Sequence, residues 1–345
     1  MGSTWYARGS MTGTDGATIV GRGLLGALLL LGCNNAGGRD EGFDFSTESN
    51  GQPGPTTSSG TADSTGGGTV DPPAPMTTGA TGTDTGDANS STTEDLPDAV
   101  PCTGVDVLFV VDNSEPMLEE QIRLRGAALA FLEQVQSNIP TLTQNINIGV
   151  ITTDEDQMVQ ANAEPCGPYE GGLNWMISSS MALSTELECA LSVGIAGSPN
   201  ERPMEMLLTA LDDDNLAPDG FHNGFLREDA LLVVVIVTNE EDDIEADTSW
   251  GSAGDPATWV TTLAERKGGW LNDIVVLSLV GLEKPNACVG PWDGVQGAQY
   301  SPRLIEFTRS FPQGMVGDAC EQEYASFLLS MVPGVAAACN GYIPP

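Results

Sequence analysis

Basic side chains are scarce in this sequence: 12 Lys and Arg stand against 48 Asp and Glu, for a formal net charge of -36 at pH 7. An extended polyanion such as DNA or RNA would be repelled by that field, so nucleic acid is excluded as a partner, while a solvated exported chain or a cation binder fits. Histidine is almost missing. The one present, His222 in the turn-like stretch DGFHNGF, is expected in a surface loop, and one histidine can build neither HExxH nor a His/Cys zinc cluster. No GxSxG elbow accompanies it, and no Gly-rich phosphate loop follows an apolar run. The six Trp are scattered, away from the carboxylate pairs, so no stacking cleft sets two carboxyl groups apart as glycoside hydrolysis requires. Enzyme activity is therefore not expected; a hydrolase using clustered carboxylates is the remote alternative. A CxxC spacing is absent as well, which argues against a thiolate metal cluster.

What is present begins with Arg22, the apolar run GLLGALLLLG at 23–32 and then Cys33. As a helix the run would span about 15 Å, half a bilayer core, too short for a membrane anchor and suited to the apolar part of a signal peptide. Leu30-Leu31-Gly32-Cys33 resembles the lipobox of bacterial lipoproteins, in which the cysteine becomes the first mature residue and carries a diacylglycerol. That resemblance implies residues 1–33 as a lipoprotein signal peptide, Met11 being an alternative start, and a lipid anchor at Cys33. Asn34 is not the Asp associated with inner-membrane retention, which favours an outer-membrane or cell-surface address. The other six of the 7 cysteines make an even set, as in exported disulfide proteins, and fifteen connectivities are open to them. The preferred pairing joins Cys102 to Cys339 across the ends of a domain, Cys166 to Cys189 around one loop, and Cys288 to Cys320.

Residues 34–100 consist of Gly, Ser, Thr, Pro, Asp and Ala, with too little apolar surface to offset the entropy of ordering. They read as a disordered tether with a reach of about 40–50 Å. From 101 to 345 the pattern changes to one domain of apolar runs alternating with amphipathic stretches. VDVLFVVD (105–112), INIGVITTD (146–154), ALLVVVIV (230–237) and DIVVLSLVG (273–281) read as strands buried on both faces, the third of these runs being the most apolar and hence central. LEEQIRLRGAALAFLEQVQ reads as a helix with Leu118, Ile122, Leu129 and Leu132 at helical spacing, and PMEMLLTALDD, ATWVTTLAERKGG, PRLIEFTRSF and EQEYASFLLSMV as further helices. The fold class expected is α/β: a doubly wound, mostly parallel sheet flanked by helices, with ligands outside the carboxyl ends of the strands. The segment between Cys166 and Cys189, rich in Tyr, Trp and Met, is open to two readings, a contact surface or an antiparallel edge hairpin.

Strong strands end in acid: Asp112, then Asp154-Glu155-Asp156, then Glu240-Glu241-Asp242-Asp243. Parallel strands bring these tails to one edge as an acidic rim, and the EEDD run alone reads as a solvated loop. DVLFVVDNS followed by an amphipathic helix, with a Val/Ile-rich strand ending in VTNEEDD, resembles the von Willebrand factor type A family. The compatible span is about 102–340, and the lipobox, tether and closing helices resemble exported bacterial lipoproteins that carry this domain.

The resemblance implies a metal-ion-dependent adhesion site, in which an Asp and two Ser of a DxSxS corner, a loop hydroxyl and an acid after the fourth strand hold Mg²⁺, a small hard cation served by oxygens. Asp112 and Ser114 match; Pro116 replaces the second Ser; Asn239 replaces the acid; Ser198 is the nearest loop hydroxyl. The site expected is degenerate, built from Asp112, Ser114, Ser198, Asn239 and Glu240. Glu115, Glu240 and Glu241 are potential substitute donors, and Ca²⁺ tolerates irregular oxygen shells better than Mg²⁺. The implied function is a lipid-anchored extracytoplasmic binding or adhesion module whose partner, a protein or surface ligand, offers a carboxylate; the alternative is a metal-independent scaffolding lipoprotein of the cell envelope.

Overall fold

The structure is a computed structural model that describes residues 99–139, 145–160, 165–243, 250–283 and 298–343. The expected signal segment with Cys33, the tether up to residue 98, and Cys288 lie outside the described residues.

A six-stranded sheet forms the centre: β1 (Gly104–Val111), β2 (Ile146–Thr152), β3 (Met176–Ile177), β4 (Ala230–Val237), β5 (Ile274–Val280) and β6 (Met315–Asp318). Their order is β3-β2-β1-β4-β5-β6. All neighbours pair in parallel except β3, which runs antiparallel to β2. The Val/Ile-rich β4 is buried at every position and lies between β1 and β5, as its composition predicts. In β1, Val105, Val107, Phe109 and Val111 join one core, whereas Leu108 and Val110 join the other. That two-sided burial is why the strand reads as a continuous apolar run rather than an alternating one.

On the first face pack α1 (Leu118–Asn138), α2 (Leu183–Ala190), α7 (Ala325–Ser330) and α8 (Val332–Asn340); on the second pack α3 (Pro203–Ala210), α5 (Pro256–Glu265) and α6 (Pro302–Arg309), with the short α4 (Asp213–Leu216) following α3. Helix α5 stops where Gly268 and Gly269 take positive φ, and Gly269 N–H donates to the Ala264 carbonyl at 2.9 Å. Cys102–Cys339 and Cys166–Cys189 are bonded as expected. Cys320 is disulfide-bonded too.

Several expectations need correction. The buried face of α1 is Leu124, Ala127, Ala128, Phe131, Leu132 and Val135, while Leu118 and Ile122 are each 51% exposed. Pro116 sets the phase of the entering turn, and Gln121 points inward to donate to the Asp112 carbonyl at 3.0 Å and the Gly194 carbonyl at 2.7 Å. The helix is thereby rolled so that small and aromatic residues meet the sheet. His222 is not a surface residue: it is fully buried, its Nδ1 2.7 Å from the Ala210 carbonyl and its Nε2 accepting from Met158 N–H at 3.0 Å. Both ring nitrogens are satisfied by backbone, which fixes the neutral tautomer with the proton on Nδ1, and burial holds its pKa below the usual range. The segment from Cys166 to Cys189 carries the edge strand β3 and then α2, a helix that its mixed composition hid.

Candidate functional site at the carboxyl edge of the sheet

The winding of the sheet reverses at β1: its neighbour β2 follows directly in the chain, while β4 lies on its other side. Such a switch point leaves a crevice outside the strand ends, and Asp112 stands there, one residue beyond β1. It is fully buried. One carboxylate oxygen accepts from Ser114 N–H at 2.7 Å and the other from the Thr238 hydroxyl at 2.7 Å, so the corner after β1 is clamped to the residue just beyond β4. Burial raises the pKa of Asp112 above the ordinary carboxylate range.

Around this carboxylate several polar atoms are sealed from solvent without a hydrogen-bond partner. They include Asn239 Oδ1, on a residue 1% exposed, while the Ser114 hydroxyl, 3% exposed, is turned to the Asp112 carboxylate. Glu240 follows at 5% exposure, pushed up to about 8 by burial and then by the Asp112 charge. Ser198 lies half-buried in the loop before α3. Its N–H donates to Asp154 Oδ2 at 2.7 Å, but its hydroxyl accepts from Asn200 N–H at 3.0 Å within its own turn. The loop is held to the β1 corner by Gly197 N–H donating to the Asn113 carbonyl at 2.8 Å. Only glycine permits that approach, since a Cβ at 197 would lie 2.7 Å from that carbonyl oxygen.

The residue that sequence reasoning missed is Glu201. It is 2% exposed, and the Thr153 hydroxyl is the side-chain donor that partly offsets its burial. Burial, and then the Asp112 charge, push it up to about 10. Among the described residues no Lys or Arg pairs with Asp112, Glu201 or Glu240. The available signal was an acid two residues ahead of the proline that opens an apolar helix, a position that burial of Pro203 and Met204 carries into the fold.

The EEDD run is not a solvated loop, because Glu241 and Asp242 are 4% and 0% exposed. Glu241 caps α6, accepting from Arg303 N–H at 2.7 Å, and Asp242 caps α3, accepting from Met204 N–H at 3.0 Å and from the Ser252 hydroxyl at 2.6 Å. Burial still lifts Glu241 to about 7. Glu241 is thus spent on a helix end and Glu115 faces solvent, which leaves Glu240 as the substitute donor beside Asp112.

Next to the corner lies a cavity of about 490 Å³ lined by Asn113, Glu155, Met158, Ser192 and Phe221 among others, and by none of the acids whose pKa is raised. Among the described residues, no three His, Cys, Asp or Glu side chains group as a metal centre by themselves.

The fold and this crevice define the molecule as a doubly wound α/β domain with an acidic, largely uncompensated carboxyl edge. No family model matches the sequence, and no curated protein matches it. Among solved structures it is similar to proximal thread matrix protein 1 from the mussel byssus, at 14% identity and a TM-score of 0.36, and to a second crystal form of that protein at 10% and 0.37. These alignments cover 70% of this chain but 47% and 49% of the mussel protein, so the chain spans about half of its length.

Proposed function

We propose that this protein is a lipid-anchored, extracytoplasmic binding module of von Willebrand A type, whose carboxyl-edge crevice holds a divalent cation and through it an acidic group of a protein or surface ligand. The observation that carries this reading is the buried, unpartnered Asn239 Oδ1 beside the buried Asp112 carboxylate, to which the Ser114 hydroxyl is also turned. Buried polar atoms in native folds are nearly always paired, and a set of hydroxyl, amide and carboxylate oxygens is the hard donor chemistry that Mg²⁺ or Ca²⁺ takes. A cation bound there would offer an open coordination position to an incoming carboxylate. The protein's own part is to hold Asp112 rigid through Ser114 N–H and Thr238, to keep water from the donors by burial, and to aim them from two adjacent parallel strands.

The anchor rests on Cys33 behind Leu30-Leu31-Gly32. Two disulfides in the folded domain fit an oxidising compartment. A metal-independent scaffolding role is the second reading, supported by the lack of a three-residue metal cluster among the described residues.

Thermal denaturation of the full chain in EDTA and in excess Mg²⁺ or Ca²⁺ separates the two. Binding to the folded state alone raises the melting temperature, and Asp112→Ala is expected to remove the rise. Identical melting with and without either cation would leave the scaffolding role standing.

A further inference from the structure

The loop that follows β2 has no regular secondary structure, yet it is pinned along its length. Thr152 Oγ1 accepts from the N–H groups of Asp154 at 3.2 Å and Glu155 at 3.0 Å. Asp154 Oδ2 accepts from Ser198 N–H at 2.7 Å, and Asp156 Oδ2 from the Asn215 amide at 3.0 Å. Met158 N–H donates to the buried His222 Nε2 at 3.0 Å, Val159 N–H to the Val150 carbonyl at 2.7 Å, and the Tyr169 hydroxyl to the Val159 carbonyl at 2.9 Å. The fold thus commits its one histidine to holding this loop. Glu155 and Gln157 are nevertheless exposed, and neither side chain makes a hydrogen bond among the described residues. A rigid loop that displays unengaged side chains is preorganised for a ligand, because its ordering entropy is not lost again on binding.

These side chains line the cavity of about 490 Å³ beside the β1 corner, a size within the range of about 300–1,000 Å³ common to small-ligand sites. Its walls are of two kinds. Met158, Val159, Val193 and Phe221 make it apolar on one part, the Phe221 ring lying edge-on to that of His222 with centroids 5.3 Å apart. Asn113, Thr152, Gln157 and Gln160 contribute uncharged polar groups, and Glu155 is the single ionisable one. Ser192 is already engaged, accepting from Arg125 and donating to the Glu188 carbonyl at 2.7 Å each. Amides and hydroxyls both donate and accept, so a cation, which only donates, would leave the amide N–H groups unmatched. An anion would leave their carbonyls unmatched, and Glu155 and the net charge of -36 oppose it. The partner that matches such a wall has hydroxyl groups on its rim and an apolar face.

We infer that this cavity binds a neutral saccharide of mono- to disaccharide size, its hydroxyls meeting Asn113, Gln157 and Gln160 and its C–H face meeting Phe221 and Met158. The inference is independent of the cation-binding reading, since Asp112, Ser114, Asn239 and Glu240 do not line the cavity.

The test is titration of the full chain with maltose, cellobiose, lactose and N,N′-diacetylchitobiose, read by saturation-transfer NMR and calorimetry, in EDTA and again in excess Ca²⁺. At least one of these disaccharides should bind, with the same affinity in both buffers. Gln157→Ala, at an exposed position, should melt like the parent chain and bind that sugar about three- to tenfold more weakly. Phe221→Leu keeps the apolar bulk but not the ring and should weaken binding by a similar factor, with its melting temperature as the folding control. Failure of every sugar to bind would overturn the inference and leave the cation-binding reading standing, as would a Gln157→Ala chain that binds as tightly as the parent. Binding seen in Ca²⁺ and lost in EDTA would put the sugar on the cation instead of in the cavity, and would overturn it too.

Discussion

The two edges of the same sheet treat buried acid in opposite ways. At the amino edge Asp106, fully buried in β1, meets Arg227, whose Nε donates to it at 2.8 Å and whose Nη2 lies 2.7 Å from it. The same guanidinium donates to the Val105 carbonyl at 3.0 Å. Lys267, 1% exposed, donates to the Arg227 carbonyl at 2.7 Å and lies over the Tyr342 ring at 5.3 Å. Burial lifts Asp106 only to about 6, because the Arg227 charge and hydrogen bonds work against it. At the carboxyl edge Asp112 and Glu201 have neutral donors only, Ser114 N–H and Thr238 for the first and the Thr153 hydroxyl for the second. A chain with 12 basic residues in all places two of them at the amino edge and, among the described residues, pairs none with the acids of the switch-point crevice. Stability alone would favour neutral side chains in that crevice. The contrast teaches that the two edges differ in how buried acid is offset, and the proposed cation site would supply at the carboxyl edge the charge that Arg227 supplies at the other.

The largest effect that tests this contrast belongs to the compensated edge. Arg227→Ala strands the buried Asp106 carboxylate and is expected to cost about 3–5 kcal/mol in urea denaturation. A cost of less than about 1 kcal/mol would mean that the amino edge is no better compensated than the other.

The next effect separates the edges by pH. In EDTA, Glu201 and Glu240 hold their protons in the fold up to about 10 and about 8, against an ordinary value of 4.5. The folded state then binds these protons more tightly than the unfolded chain. Their contribution is complete below that ordinary value and is lost as pH rises through about 8 and then about 10. The melting temperature in EDTA should therefore fall between about pH 6 and about pH 9, and excess Ca²⁺ should flatten the fall. A flat profile in EDTA would mean that something compensates the crevice acids already. The smallest effect lies on the outer face of α1 beside the crevice, where Leu118→Ser should change stability by less than about 0.5 kcal/mol despite removing a leucine. Chemical denaturation reads that difference.

Much of the architecture was readable from pattern because burial on two faces leaves a plain signature. ALLVVVIV can hardly be anything but a central strand, and Asp112 and Ser114 follow β1 in a corner that the chain order alone locates. β6 was hidden because Met315–Asp318 is a short edge strand, half exposed, with neither alternation nor a continuous apolar run. The working face of α1 was misjudged because Leu118 and Ile122 stand out in the sequence, whereas alanines and a glutamine set the contact. Glu201 escaped for a different reason: an isolated acid is by default solvated, and only the placement of its neighbours puts it out of water. EEDD misled by being read as one unit, although its members serve two different helices and a crevice.

The ends of the folded domain also carry a mechanical meaning. Val100 pairs with Tyr342, and the Cys102–Cys339 bond closes a separation of 237 residues just before β1 begins. The chain thus enters at the pole away from the crevice, and tension transmitted through residues ahead of Val100 meets a covalent clasp before it can strip the first strand from between its neighbours. A load applied between this clasp and the carboxyl edge would stretch the domain along its strands, so that the parallel ladders are sheared together rather than unzipped one bond at a time.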